Sequence, residues 1–151
     1  LAIEDVPGLS LDTRELGRHG RSYTVDTLVS IRAELGPATP LVWIMGIDGL
    51  EQLDRWHRWR SLLDLVNIAV LQRPGWRGES QGPVAEWLQK HQCHETRLSQ
   101  QPSGGIALLQ QPPLAVSSTA VRAALRERKN LQFLLPNSVI EYIADNDIYT
   151  Y

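Results

Sequence analysis

The sequence predicts an α/β domain, a Rossmann-like parallel sheet with helices on both faces. Three short apolar runs without polar alternation, Leu41–Met45, Asn67–Gln72 and Ile106–Leu109, read as strands buried on both faces, the pattern of parallel sheets. Segments with helical apolar spacing separate them, and strand–helix alternation of this kind points to parallel pairing. The polar or glycine-containing clusters Gly46-Ile47-Asp48, Arg73-Pro74-Gly75 and Val116-Ser117-Ser118 follow the three runs. Ligands of parallel sheets bind beyond the carboxyl ends of the strands, so three such clusters at one edge predict a ligand site.

The elements follow in order. Leu1-Ala2-Ile3 running into Val6-Pro7-Gly8 reads as the tail of an earlier helix entering a turn. Because Leu1 is not an initiator methionine, the expectation is a chain that begins inside a longer protein. Leu9–Asp12 alternates like a short strand. Thr24 is the expected N-cap of a helix whose apolar residues Val25, Leu28, Ile31 and Leu35 keep the helical period, with Asp26 in the first turn and Gly36-Pro37 as the stop. After the first strand, Asp48 is placed to cap a short helix. A second helix is predicted from about Trp56 to Leu65, and another over Val84–His91. Trp76–Gly82 is polar and glycine-rich and reads as a mobile loop, while Cys93–Gly104 has no clear period. Helices from about Ser118 to Glu127 and from Pro136 to Asp145 complete the chain.

Bulk properties set limits. The 151 residues are one domain's worth of chain, and 42% hydrophobic with 21% charged residues is ordinary for a globular protein. A formal charge of −2 argues against a nucleic-acid footprint, which needs a strong basic excess, but leaves room for a nucleotide. The single cysteine, Cys93, rules out an intrachain disulfide and fits a reducing compartment, so the expected location is the cytoplasm. No apolar run approaches the ~20 residues that cross a bilayer, so no membrane partner is expected.

Val116-Ser117-Ser118-Thr119-Ala120-Val121-Arg122 carries the strongest chemical signal. Small hydroxyl residues open a helix whose N-terminal N–H groups lack internal partners, and the helix dipole makes that end electropositive. Ser118 and Thr119 can cap those donors or offer them to an anion, and Arg122, one turn on, can close over the same anion with its planar fork. An ordinary cap followed by a surface arginine would look the same. Gly46 and Asp48 place a carboxylate at a strand's end, where it can accept from a ribose or base amines; a turn glycine and a cap would also fit. Trp56 and Trp59 are three apart, which on a helix puts them on one face. Trp59 is assigned to packing. Trp56 is kept for a flat heteroaromatic ligand whose anionic substituent neighbouring N–H groups would hold. Arg73 is either a surface charge or a phosphate clamp. His91, Cys93 and His94 lack a second ligand cluster, so no metal site is expected, and His57 has no partner that would make it an acid–base catalyst.

Read in order, Ser22-Tyr23-Thr24-Val25-Asp26-Thr27-Leu28, Ile44-Met45-Gly46-Ile47-Asp48, Trp56-His57-Arg58-Trp59, Val70-Leu71-Gln72-Arg73-Pro74-Gly75 and Val116–Arg122 resemble bacterial nicotinate-nucleotide adenylyltransferase, of the nucleotidyltransferase superfamily. Leu134-Leu135-Pro136, Tyr142-Ile143 and Ile148-Tyr149 match the family's ending. The resemblance covers essentially the whole chain and implies one nucleotidyltransferase-like domain over residues 1–151. It also implies transfer of AMP from ATP to nicotinic acid mononucleotide, with Mg²⁺, in NAD biosynthesis. On this basis Gly46 and Asp48 touch the adenosine, and Arg73 lies near the nucleotide. Ser118, Thr119 and Arg122 hold the ATP phosphates, while Thr24, Trp56 and His57 hold the nicotinate ring and its carboxylate. The family's opening strand and Gly-Thr-Phe-Asp-Pro-x-His-x-Gly-His signature have no counterpart, and His19-Gly20 is not in that context. No catalytic residue is therefore assigned, and the stretch alone is expected to be inactive. Another adenylyltransferase of the superfamily, of the phosphopantetheine or nicotinamide-mononucleotide type, and a non-catalytic nucleotide-binding module stay open, as does a homo-oligomeric assembly.

Overall fold

The structure is a computed structural model that describes residues 1–72, 82–110 and 117–149. It divides into two compact units, Arg14–Pro113 and Leu1–Thr13 with Leu114–Tyr151.

The larger unit runs α1 (Thr24–Leu35), β1 (Val42–Gly46), α2 (Ile47–Glu51), α3 (Leu62–Leu65), β2 (Asn67–Gln72), α4 (Gly82–His91) and β3 (Ile106–Gln110), with 3₁₀ turns at Leu53–Arg55, Trp59–Ser61 and Glu95–Ser99. Its sheet has the order β1-β2-β3, all parallel, with Ile44 opposite Ala69 and Ala69 opposite Ala107. The expected α/β class with a parallel sheet is what forms.

Only β2 fits the expectation of a strand buried on both faces; Asn67, Ile68, Ala69 and Val70 are all buried. β1 departs from it. It begins and ends one residue later than the apolar run, and although Met45 is buried, Ile44 is 63% exposed. The reason is position: β1 is an edge strand among the described residues, and only the face bearing Trp43 and Met45 meets a cover. That face carries the main core. Val25 and Leu28 of α1, Leu50 of α2, Leu62 of α3 and Val84 and Trp87 of α4 gather there with Ile68, Val70 and Ile106. On the opposite face Ala69 and Ala107 pack with Leu98 of the third 3₁₀ turn, so this smaller cluster covers only the β2–β3 side.

Two polar side chains join these layers. Asn67, fully buried, donates from Nδ2 to the carbonyls of Leu98 (3.0 Å) and Gln101 (2.7 Å) and accepts from the Gly105 N–H at 2.9 Å. All its polar atoms are thus satisfied, as burial demands. A Cβ on Gly105 would come within 2.8 Å of Cys93 Sγ, so the close approach requires glycine there. Arg32, in the last turn of α1, donates to the carbonyls of Leu65, Gly36, Thr39 and Pro102 and so ties three chain segments to that helix end.

Two predicted elements do not form. Leu9–Asp12 is irregular, with Leu9 56% and Leu11 79% exposed, because a strand needs a ladder partner and none pairs with it among the described residues. The single helix expected over Trp56–Leu65 is broken into a 3₁₀ turn, a left-handed residue, a second 3₁₀ turn and the short α3. Arg58 has φ 52°, and Trp56 is extended at φ −80°, ψ 144°. Leu53, Trp59 and Leu62 are all buried, and burying all three draws the backbone out of the helical path. Trp59 packs edge-on against Trp87 at 5.1 Å, the packing role assigned to it. Cys93–Gly104, without a readable period, holds the 3₁₀ turn Glu95–Ser99. The loop reading for Trp76–Gly82 falls outside the described residues, apart from Gly82, which opens α4.

The smaller unit contains α5 (Ser118–Arg126) and α6 (Asn137–Asp145). Val121 and Leu131 are its buried apolar residues.

Candidate functional site

Two concave sites emerge, one in each unit. In the larger unit Ser22, Tyr23 and Thr24, at the start of α1, and Arg55, Trp56 and His57, at the end of the first 3₁₀ turn, line a cleft of about 250 Å³. The three residues expected to hold a pyridine ring, Thr24, Trp56 and His57, are therefore brought together. They meet because α1 and the turn share the core: Val25 and Leu28 on one side and Leu53 on the other are each no more than 1% exposed. Tyr23 and His57 stack with ring centroids 4.4 Å apart and planes inclined by 32°, giving the cleft a second aromatic wall beside Trp56. Trp56 is half-buried, presenting part of its indole, and its Cζ2 lies 4.0 Å from where a Cβ on Gly49 would stand.

Thr24 is not the cap of α1. Tyr23 occupies that position and offers no side-chain acceptor, so Thr24 is the first helical residue. The Thr24 hydroxyl and the first N–H groups of α1 are consequently open to a ligand, at the end where the helix dipole favours an anion. Upstream, Arg18 donates to Ser22 Oγ (3.2 Å) and to Thr27 Oγ1 (2.8 Å), and Thr27 donates to Glu15, which fixes the entry to α1.

Gly46 ends β1 and is the cap residue of α2. Asp48 stands in that helix's first turn and is not its cap, correcting the sequence expectation. Both lie at the carboxyl end of β1 as expected, and Asp48 has an interaction partner already. Arg73 lies outside the described residues; β2 ends at Gln72.

In the smaller unit Ser117, Ser118, Val121, Arg122, Leu135, Val139, Ile143 and Tyr149 line a cavity of about 390 Å³. Ser118 and Arg122 thus meet there, four residues apart on one helix face. Thr119 is exposed and does not line it. The cap of α5 is Ser117, whose Oγ accepts from the Ala120 N–H at 3.1 Å. Ser118 and Thr119 were the expected caps; with Ser117 in that role their hydroxyls are released from it.

Sequence reasoning missed several lining residues. Tyr23 and Ser22 were noted only as preceding a helix, Arg55 gave no signal, and Leu135, Val139, Ile143 and Tyr149 were visible only as a matching ending. Among the described residues no group of three or more His, Cys, Asp or Glu is placed to hold a metal ion. His94 instead caps the third 3₁₀ turn, its Nδ1 accepting from the Thr96 N–H.

A parallel sheet carrying ligand-sized clefts at strand and helix ends defines a nucleotide-handling α/β protein, and a family model described as Cytidylyltransferase-like matches residues 2–124. Curated relatives sharpen this. The chain is 39% identical over 150 residues to a probable nicotinate-nucleotide adenylyltransferase of Hahella chejuensis, covering 99% of this chain and 68% of that protein. It is 43% identical over 149 residues to the Cellvibrio japonicus protein of the same name, covering 99% of this chain and 71% of that one. The chain belongs to the cytidylyltransferase-like family, in its nicotinate-nucleotide adenylyltransferase branch. The fold is also similar to the solved nicotinic acid mononucleotide adenylyltransferase of Plasmodium falciparum in complex with APC. The TM-score is 0.54 at 18% identity, over 86% of this chain and 59% of that chain. A second structure of that protein, complexed with NaAD, matches equally well, with this chain spanning 58% of its length.

Proposed function

We propose that this chain serves the transfer of AMP from ATP to nicotinic acid mononucleotide, yielding nicotinic acid adenine dinucleotide and pyrophosphate. Residues 1–151 are read as one nucleotidyltransferase-like domain. The observation that carries the proposal is the cleft in which Thr24, Trp56 and His57 converge from two separate segments, in a chain whose relatives bear the corresponding name. A flat pyridine ring fits between an indole and a Tyr–His stack, and an anionic ring substituent fits the uncapped start of α1.

The chemistry needs no protein nucleophile. A phosphate oxygen of the mononucleotide attacks the α-phosphorus of ATP, the new P–O bond forms in line, and the bond from the α-phosphorus to the bridging oxygen breaks as pyrophosphate leaves. Ser118, Thr119 and Arg122 are assigned to the ATP phosphates, where a guanidinium and hydroxyls offset the charge that develops. Gly46 and Asp48 are assigned to the adenosine and Arg73 to the nucleotide. Mg²⁺ is proposed as the ion that accompanies ATP, bound through phosphate oxygens and water rather than by a dedicated protein cage. A cytoplasmic location fits a chain with one cysteine.

The test is a turnover assay with ATP and nicotinic acid mononucleotide, following pyrophosphate and dinucleotide together. Formation of both in equal amounts supports the assignment. Turnover of phosphopantetheine in place of a pyridine mononucleotide would refute it, and binding of the dinucleotide without turnover would favour a nucleotide-binding module.

A further inference from the structure

We infer that Arg55 reads charge in the mononucleotide cleft: its guanidinium selects a pyridine ring bearing a carboxylate over one bearing a neutral amide. The inference rests on the pyridine-mononucleotide reading and deepens it. Of the six residues lining the cleft, Ser22, Tyr23, Thr24, Arg55, Trp56 and His57, only Arg55 is positively charged at every working pH. The three hydroxyl groups can donate to a carboxylate oxygen and equally to an amide oxygen. They therefore hold a substituent without telling the two apart. A fixed positive charge does distinguish them, because a charge-assisted pair forms with the acid alone.

Arg55 is available for that pairing. Its side chain makes no hydrogen bond or ion pair with another described residue, and neither Glu51 nor Asp54, the nearest carboxylates in sequence, lines the cleft. The neighbouring cation, Arg18, does not line the cleft either and is already engaged with Ser22 and Thr27. The backbone beneath is fixed. The Arg55 N–H donates to the Gln52 carbonyl at 3.1 Å and the Trp56 N–H to the Leu53 carbonyl at 2.9 Å, over a Leu53 that is fully buried. Consecutive residues of one rigid turn therefore supply an aromatic face for the ring and a cation for its substituent.

The test is calorimetric titration of the protein and its R55A and R55K variants with nicotinic acid mononucleotide and with its amide, independent of turnover. The unaltered protein is expected to prefer the acid. Because Arg55 is solvent-exposed, R55A should weaken the acid by about three- to tenfold, leave the amide unmoved, and have its loss largely restored in R55K. An acid preference that survives R55A overturns the role of Arg55 and leaves the pyridine reading intact. Equal loss of both ligands assigns Arg55 to shape and overturns its charge reading. If the unaltered protein binds neither mononucleotide, the pyridine reading itself falls and takes this inference with it.

Discussion

The two concave sites are built in opposite ways. The Ser118–Arg122 cavity takes its polar groups from a single helix, where residues four apart necessarily share a face. The Trp56–His57 cleft is assembled from two segments that meet only because Val25, Leu28 and Leu53 are buried in the same core. The helix starts differ as well. α5 is capped by the hydroxyl of Ser117, while α1 begins at Tyr23 with no side-chain cap. A site on one helix survives changes in packing but has little shape, whereas a site between segments has aromatic walls and depends on the core to keep them apart.

Substitutions can break or sharpen this contrast. The largest expected effect is on catalysis at the helix-borne site: Arg122→Ala should remove about 2–4 kcal/mol of transition-state stabilisation, typical of one preorganised donor. Steady-state kinetics on the active enzyme check it, and an unchanged kcat/KM for ATP would exclude Arg122 from the phosphates. Next comes the core that sets the cleft. Arg32→Ala strips partners from the carbonyls of Leu65, Gly36, Thr39 and Pro102 and should destabilise the larger unit by about 2–3 kcal/mol. Denaturant melts would show this as a lower midpoint, and a wild-type midpoint would mean water replaces the arginine without penalty.

Trp56→Ala should cost about 1–3 kcal/mol of mononucleotide affinity, the range for one base-sized stack, while leaving the KM for ATP in place. Parallel weakening toward both substrates would show that the indole supports the fold and not the ring. The smallest effect is expected at Ser117. Ser117→Ala removes the cap of α5 and should lower stability by about 1 kcal/mol, seen as a modest fall in Tm. The matching change Thr24→Ala removes no cap bond, so it should leave Tm unaltered and weaken only the mononucleotide.

The same contrast explains what the sequence made legible. Period and apolar continuity locate α1, β2, α4, β3, α5 and α6 to within a residue or two, because each depends on patterns within its own segment. The helix predicted through Trp56 fails because the period of Trp56 and Trp59 is compatible with a helix while the burial of Leu53, Trp59 and Leu62 is met by a turn at Arg58. Ile44 lies in an unbroken apolar run, yet neighbours, not composition, decide whether a strand is covered on its second face. Caps shift by one residue at both ligand-facing helices, since adjacent hydroxyl residues compete for one position. Thr24, Trp56 and His57 were singled out as site candidates from motif order. The Tyr23–His57 stack and the place of Arg55 needed the tertiary structure, which alone brings residues of separate segments into one wall.

Arg32 grips the carboxyl end of α1, and the Glu15–Thr27–Arg18 chain grips its entrance. Polar staples thus clamp the helix at both extremities, so its pitch against the sheet is adjustable by exchanging a staple. Evolution, or an engineer, could retune the aperture between Thr24 and Trp56 from well outside the cleft, altering ligand fit without replacing any side chain that touches the ligand.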